Sequence, residues 1–148
     1  MSGIGAAVVV AALVITAAAA WWLRARNGAV RVPAAEEGNV PAHLPVFERL
    51  GIRPEDADLT VVQFSTAFCA PCRATKARLE QLRTTRPRLA YVHVDAESHL
   101  DEVRALDVRR TPTLFYLGRG GQLIGRSSGA PRPDELTALV DAHAGVPS

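Results

Sequence analysis

Two cysteines separated by two residues constrain this chain more than any other feature. The segment Phe68-Cys69-Ala70-Pro71-Cys72 holds the only two cysteines of the chain. It follows an apolar, β-branched run at residues 60–65 and opens a basic segment that reaches about residue 86. On a helix, this spacing puts both sulfur atoms on one face, close enough to form a small disulfide ring. The pattern predicts a strand that leads into a helix whose first turn carries a reversible dithiol.

The position of each cysteine at the predicted junction indicates a different role for it. Cys69 is expected where the strand hands over to the helix, so unpaired N–H groups and the helix dipole favour its thiolate. Cys72 lies one turn further along and is expected to be shielded, so Cys69 attacks a partner disulfide and Cys72 resolves the mixed disulfide. Pro71 suits the first helical turn. Together with the positive charges of Arg73 and Lys76, it is predicted to tune the ionisation of the Cys69 thiol.

Further segments resemble the thioredoxin family. The resemblance covers residues 58–144 and rests on Val61-Val62-Gln63-Phe64, Phe68-Cys69-Ala70-Pro71-Cys72, Val94-Asp95, Val108-Arg109-Arg110-Thr111-Pro112-Thr113 and Gly129. It implies an α/β thioredoxin fold, with a central mixed β-sheet flanked by helices, and thiol-disulfide exchange with protein substrates. It also implies that Pro112 is cis and faces the dithiol, that Thr111 pairs with an extended substrate segment, and that Phe68 belongs to the substrate-binding surface.

The chain departs from the family pattern at three places. Gln63 stands where thioredoxins usually have a buried acid, and an amide cannot act as a base. Phe68 replaces the usual tryptophan, and the dipeptide between the cysteines is Ala-Pro instead of Gly-Pro. These changes are expected to shift the redox potential, in a direction that the sequence alone does not give.

Composition narrows the range of partners. The formal charge of +2 is too small to indicate nucleic-acid binding. Four histidines are scattered along the chain and are predicted to be ordinary surface residues, and one Cys-x-x-Cys pair supplies only half of a zinc site. We therefore predict neither a metal site nor a cofactor. The expected partners are proteins with disulfides or thiols, and an unidentified reductase or oxidant that recharges the dithiol.

The amino-terminal end of the chain is apolar enough to cross a membrane. Residues 4–23 contain no charged side chain, and twenty helical residues cover roughly 30 Å, the thickness of the hydrocarbon core. Trp21 and Trp22 lie at the end of this run, where the membrane interface is expected, and arginines follow at positions 24, 26 and 31. We predict a transmembrane anchor at residues 1–26. A cleaved signal peptide is the alternative, although it would normally carry basic residues ahead of the apolar run.

The rest of the chain divides into a linker and a domain. Glycines and prolines without an apolar period predict a flexible linker at residues 27–45, followed by a thioredoxin-like domain at residues 46–148. Within the domain we expect strands at 60–65, 89–95, 113–117 and 122–126, and helices at about 72–86, at 99–106 and after Asp134, which is expected to cap the last one. Because Arg24, Arg26 and Arg31 lie C-terminal to the uncharged run, a single-pass cell-membrane protein with the domain facing the cytoplasm is predicted.

Three alternatives remain open from the sequence. The domain could lie outside the membrane and reduce disulfides of apocytochrome or of secreted proteins. It could be a non-catalytic binding or metal-carrier module, which the amide of Gln63 leaves possible. The cysteine pair could merely staple the fold, although so short a loop removes little entropy from the unfolded chain.

Overall fold

The structure, a computed structural model, describes residues 2–31 and 43–145. The helices are α1 (Ser2–Arg26), α2 (Leu44–Arg49), α3 (Ala70–Thr85), α4 (Leu100–Ala105) and α5 (Pro133–Ala144), with a 3-10 turn at Pro54–Asp56. The strands are β1 (Val30–Arg31), β2 (Leu59–Ser65), β3 (Leu89–Asp95), β4 (Thr113–Gly118) and β5 (Leu123–Ser128).

The five strands form one mixed sheet in the order β1-β5-β4-β2-β3. Strand β2 runs parallel to β3, whereas β4 is antiparallel to β2 and to β5, and β1 is antiparallel to β5. Every residue of β2 is buried, the polar Thr60, Gln63 and Ser65 included, as expected for a central strand covered on both faces. The predicted mixed sheet is therefore confirmed.

Helices cover both faces of the sheet, and side chains alternate between them along β2. On one face Phe64 contacts Phe115, which in turn contacts Phe47 of α2, with ring centroids 5.8 and 5.4 Å apart. On the other face, Leu79 of α3 and Leu136 of α5 belong to the second buried cluster. The flanking helices predicted from the resemblance to thioredoxins are confirmed.

One expectation about a helix end is wrong. The N-cap of α5 is Arg132, and Asp134 lies inside the first turn, because Pro133 occupies the first helical position, for which its fixed φ is suited. Leu100, the first residue of α4, is apolar but 51% exposed. Helix α4 has only six residues, and Val103 makes its contact with the core.

The predicted linker does not begin as free chain. Val30 and Arg31 pair with Ser127 and Arg126 at the outer edge of β5, so part of residues 27–45 belongs to the sheet. A strand of two residues is too short to show an alternating pattern, which is why the sequence did not reveal it. Helix α2 starts at Leu44, two residues before the expected domain boundary. Residues 32–42 lie outside the described part of the chain, and their flexibility stays a prediction.

Candidate active site

The two cysteines lie where β2 gives way to α3 and are joined by a disulfide. The sulfur atoms are 2.03 Å apart and the Cα atoms 5.2 Å apart. Cys69 is the N-cap residue of α3, and its Sγ accepts a hydrogen bond from the main-chain N–H of Cys72 at 3.2 Å. Pro71 lies in the first turn of the helix. An N–H aimed at this sulfur stabilises negative charge on it, which is the interaction expected for an attacking thiolate.

A second loop approaches the dithiol segment from the start of β4. The Thr111–Pro112 peptide bond is cis. Thr111 Oγ1 lies 3.4 Å from Oγ1 of Thr66, three residues before Cys69. The carbonyl oxygen of Pro112 accepts a hydrogen bond from the N–H of Gly129 at 2.8 Å, which ties this loop to the end of β5. The cis bond that the resemblance implies is therefore present, in a loop that contacts the segment leading to Cys69.

Two features leave this region available for a peptide. Within residues 2–31 and 43–145, the main-chain N–H and C=O of Thr111 have no hydrogen-bond partner. The side chain of Phe68, next to Cys69, is 99% exposed. An extended peptide with unpaired main-chain groups and an apolar side chain would complement such a surface.

Gln63 forms a neutral bridge behind the dithiol. Its buried side chain donates from Nε2 to the carbonyl oxygen of Cys72 at 3.0 Å and accepts at Oε1 from the Tyr91 hydroxyl at 3.1 Å. Burial, and then the nearby Glu80 charge, raise the pKa of Tyr91 above its ordinary value, so the phenol keeps its proton and remains the donor. The sequence identified Gln63 as a residue that cannot be a base, but did not predict that it joins β2 to α3 and β3.

A cavity of about 350 Å³ is lined by Cys72. Its wall includes Ser65, Cys72, Arg73, Lys76, His93 and Asp95. The Oγ of Ser65 lies 2.6 Å from Nε2 of His93. Hydrogen bonds from the Ser98 hydroxyl and from the Glu97 N–H lower the pKa of Asp95, so its carboxylate stays charged at neutral pH.

Sequence reasoning treated His93 as an ordinary surface residue. The residue is exposed, and the structure also places it in the wall of the cavity that Cys72 lines. The parallel pairing of β2 with β3 sets Ser65 opposite Asp95, two residues from His93. Only this register brings the histidine to the dithiol, and no local motif indicates it. Arg73 and Lys76, which the sequence singled out, do lie in the wall of the cavity. Their influence on Cys69 stays a prediction.

A metal ion would need several His, Cys, Asp or Glu side chains in one place. In residues 2–31 and 43–145, no three His, Cys, Asp or Glu side chains lie close enough together to hold one. The sulfur atoms of Cys69 and Cys72 are bonded to each other. The arrangement can accept two electrons when this bond is broken, and can donate them when it re-forms.

Comparison with known proteins matches this geometry to one family. The Thioredoxin family model matches residues 52–142. Rice thioredoxin H2-1 is 31% identical over 114 residues, which cover 73% of this chain and 81% of the rice protein. Rice thioredoxin H4-1 is 29% identical over 91 residues, covering 60% of this chain and 69% of that protein.

Solved structures agree with the sequence relatives. Oxidised mitochondrial thioredoxin 3 of Saccharomyces cerevisiae superposes with a TM-score of 0.55 and 28% identity, covering 67% of this chain and 89% of the yeast chain. Thioredoxin f2 of Chlamydomonas reinhardtii gives a TM-score of 0.56 at 25% identity, covering 67% of this chain and 90% of that one. Given a family match over more than half of its length and a bonded Cys-x-x-Cys pair, the chain belongs to the thioredoxin family and is a thiol-disulfide oxidoreductase.

Proposed function

We propose that this protein exchanges disulfides with protein substrates while it is tethered to a membrane by α1, with Cys69 as the attacking and Cys72 as the resolving residue. The observation that carries the assignment is the hydrogen bond from the Cys72 N–H to Cys69 Sγ. Cys69 is 8% exposed and Cys72 is 3% exposed, which also favours the first cysteine as the one that a substrate reaches.

The exchange balances without a cofactor. The Cys69 thiolate attacks one sulfur of a substrate disulfide, so a Cys69–substrate bond forms and the second substrate sulfur leaves and takes up a proton. The Cys72 thiolate then attacks Cys69, which breaks the mixed disulfide, forms the intramolecular bond and releases the other substrate thiol. The substrate gains two electrons and the dithiol loses two. A separate thiol reductant returns the disulfide to the dithiol, and every step runs in reverse when the substrate is a dithiol.

Substrate binding is assigned to Phe68, Thr111 and Pro112. The assignment is supported by the exposed ring of Phe68 and by the unpartnered main chain of Thr111 within the described residues. Pro112 fixes the course of this chain beside Thr66. We infer that an extended substrate segment pairs with the backbone of Thr111 while its sulfur meets Cys69.

Membrane tethering is supported by the length and composition of α1. Residues Gly5–Arg26 form a helix of 22 residues that is long and apolar enough to cross a bilayer, and none of it is buried against the rest of the protein. A signal sequence meets the same criteria of length and composition. The retained anchor is favoured because Trp21 and Trp22 lie at the end of the apolar run and Arg24 and Arg26 follow them, as at the interface end of a spanning helix.

The first prediction tests the assigned roles of the cysteines. In an insulin-reduction assay with dithiothreitol as the electron donor, the full chain in detergent is expected to accelerate reduction. Cys69→Ser is expected to lower the rate to that without protein, because no attacking sulfur remains. Cys72→Ser still attacks but cannot resolve, so the mixed disulfide with insulin accumulates and is counted by mass spectrometry. Equal weak rates for wild type and Cys69→Ser would instead identify a binding module.

A further inference from the structure

A strongly basic cavity lies between the end of α1 and the loop that carries Thr111, and we call it the arginine pocket. Its volume is about 490 Å³. The charged side chains in its wall are Arg26, Arg31, Asp107, Arg109, Arg110 and Arg126. Residues far apart in the sequence thus bring five guanidinium groups and a single carboxylate to one place.

Most of this positive charge has no counter-ion in the described part of the chain. The carboxylate of Asp107 pairs with Arg109, at 2.7 Å. Among residues 2–31 and 43–145, no ion pair with a carboxylate involves Arg26, Arg31, Arg110 or Arg126. Guanidinium groups held this close together repel one another, and a bound anion would relieve that repulsion.

Arg126, in the wall of the pocket, is held in a fixed orientation. Arg126 donates to the main-chain carbonyl oxygens of Leu106 and Asp107 at 2.8 and 2.7 Å, and its Cζ lies 4.8 Å from the centre of the Phe115 ring. Burial lowers the pKa of Arg126, while Asp107 opposes that effect. The side chain is therefore partly dehydrated and already ordered, which reduces the cost of binding a phosphate oxygen.

The pocket lies at the level of lipid headgroups if α1 spans a bilayer. The uncharged run ends at Leu23, and three further residues at 1.5 Å each put Arg26 about 5 Å beyond it. The headgroup layer on each side of the hydrocarbon core is about 5–7 Å thick. Trp22 also lines the pocket, with its ring centre 4.3 Å from Cζ of Arg26, as expected for an aromatic residue at the interface.

We propose that the arginine pocket binds the phosphate of an anionic phospholipid in the leaflet where α1 ends. This inference rests on the membrane tethering proposed above. Arginine forks match phosphate oxygens, and the bilayer offers phosphate at the required depth and at a high local concentration. A lipid is therefore favoured over a free anion as the occupant.

Lipid binding at this position would orient the dithiol relative to the membrane. Arg110 directly precedes Thr111, and its guanidinium donates a hydrogen bond to Oδ1 of Asn27 at the end of α1. Ser128, in the wall of the pocket, accepts a hydrogen bond from the N–H of Gly28 at 2.9 Å. Hydrogen bonds, one between side chains and one between main-chain groups, thus link the end of the anchor, the pocket and the substrate-binding loop. The substrates expected for such an enzyme are thiols and disulfides of proteins close to the membrane surface.

Native mass spectrometry of the full chain in detergent micelles tests the proposal. The protein is titrated with phosphatidylglycerol or with phosphatidylcholine, and bound lipid is counted after the micelle is removed. Wild type is expected to retain phosphatidylglycerol at least about tenfold more strongly than phosphatidylcholine. Arg31→Gln combined with Arg109→Gln is expected to remove most of this preference, because each arginine near the lipid surface contributes a factor of about five.

A matched variant separates the pocket from general surface charge. Arg83→Gln combined with Arg104→Gln removes the same charge from two exposed arginines outside the pocket, and is expected to leave the preference unchanged. Neither double variant is expected to change insulin reduction in micelles, since none of the four arginines belongs to the proposed exchange site. Equal retention of both lipids by wild type, or equal losses in both variants, would overturn the proposal.

Two further measurements identify the source of the phosphate and the state of the anchor. Inorganic phosphate at millimolar concentration is expected not to displace phosphatidylglycerol, and complete displacement would assign the pocket to a free anion instead of a lipid. The full chain in phosphatidylcholine vesicles is expected to resist an alkaline wash. Its release would contradict the tethering itself, whereas resistance without a preference for phosphatidylglycerol would contradict only the lipid site.

Discussion

Gln63 shows how one side chain changes the environment of a familiar dithiol. The amide satisfies two buried groups at once, the Cys72 carbonyl and the Tyr91 hydroxyl. A carboxylate could accept from Tyr91 but could not donate to a carbonyl oxygen unless it held a proton. The chain therefore has a structural bridge where its relatives are expected to have a titrating acid, and deprotonation of Cys72 must rely on other groups or on solvent.

The second prediction concerns replacement of this amide. In Gln63→Glu, burial and the facing carbonyl should raise the pKa of the new carboxyl above its ordinary value of about 4.3. The folded state then keeps a proton that the unfolded chain releases, so the free energy of unfolding falls as pH rises, by up to about 1.4 kcal/mol per pH unit. This loss begins near the unfolded pKa and levels off above the folded one.

Urea unfolding of the oxidised protein measures the free energy of unfolding of Gln63→Glu and of wild type. The pH is varied from about 4.5 to about 8, which starts near the ordinary pKa of a glutamate carboxyl. Gln122→Glu is the matched control, because Gln122 is exposed and its replacement should leave the pH dependence as it is in wild type. If the free energy of unfolding of Gln63→Glu changed with pH as it does in wild type, the bridge would not require a hydrogen-bond donor at this position.

Local chemistry at the residue scale could be predicted where the interacting groups are close in sequence. The spacing of Cys69 and Cys72 and the strand-to-helix junction predicted a sulfur atom at the first turn of a helix, and the structure has it there. Tyr91 and His93 were not predicted as neighbours of the dithiol. They reach it only through the pairing of β2 with β3, which brings together residues about thirty positions apart.

At the scale of elements, the junction between α1 and the sheet depends on a glycine with no room for a side chain. Gly28 is buried, has φ of +80°, and a Cβ on it would lie 2.0 Å from the carbonyl oxygen of Ala130. Gly51 has a similar φ of +71°, but a Cβ there would meet nothing within 4 Å. The two positions therefore share the backbone requirement and differ only in the space available.

The third prediction compares alanine substitutions at Gly28 and Gly51. Gly51→Ala should cost only the backbone strain, about 1 kcal/mol of the free energy of unfolding. Gly28→Ala adds a collision with main-chain atoms, and we expect β1 to leave the edge of β5 because that costs less than moving Ala130. Hydrogen exchange followed by mass spectrometry should show faster exchange at 28–31 and 125–128 in Gly28→Ala alone. Unchanged protection there would mean that the loop at Ala130 yields instead.

The elements that the sequence missed are those with little pattern of their own. Strands β2, β3 and β4 were predicted nearly to the residue, because their apolar runs are long and bounded by turns. Strand β1 has two residues and exists only because β5 offers an unpaired edge. The start of α5 was misplaced because two helix-start signals, Pro133 and Asp134, are adjacent, and the proline takes the first position.

For the whole molecule, the fourth prediction is the side of the membrane on which the domain lies. Arg24, Arg26 and Arg31 all follow the apolar run, and basic residues close to a spanning helix stay mostly on the cytoplasmic side. Fusions at Ser148 to alkaline phosphatase, active only outside, and to green fluorescent protein, fluorescent in the cytoplasm, are expected to report a cytoplasmic carboxyl end. Phosphatase activity without fluorescence would reverse the assignment and favour secreted or apocytochrome substrates.

The short link between α1 and β1 limits the distance between the sheet and the end of α1. Only three residues separate Arg26 from Val30, and fully extended they reach about 10 Å, whereas a free chain over 27–45 would reach about 60 Å. If α1 spans a membrane as proposed, an enzyme on so short a link samples only a thin layer of solution above the lipid. Its encounters are then two-dimensional, and its turnover depends on how often a substrate drifts laterally through that shell, rather than on the bulk concentration of disulfides.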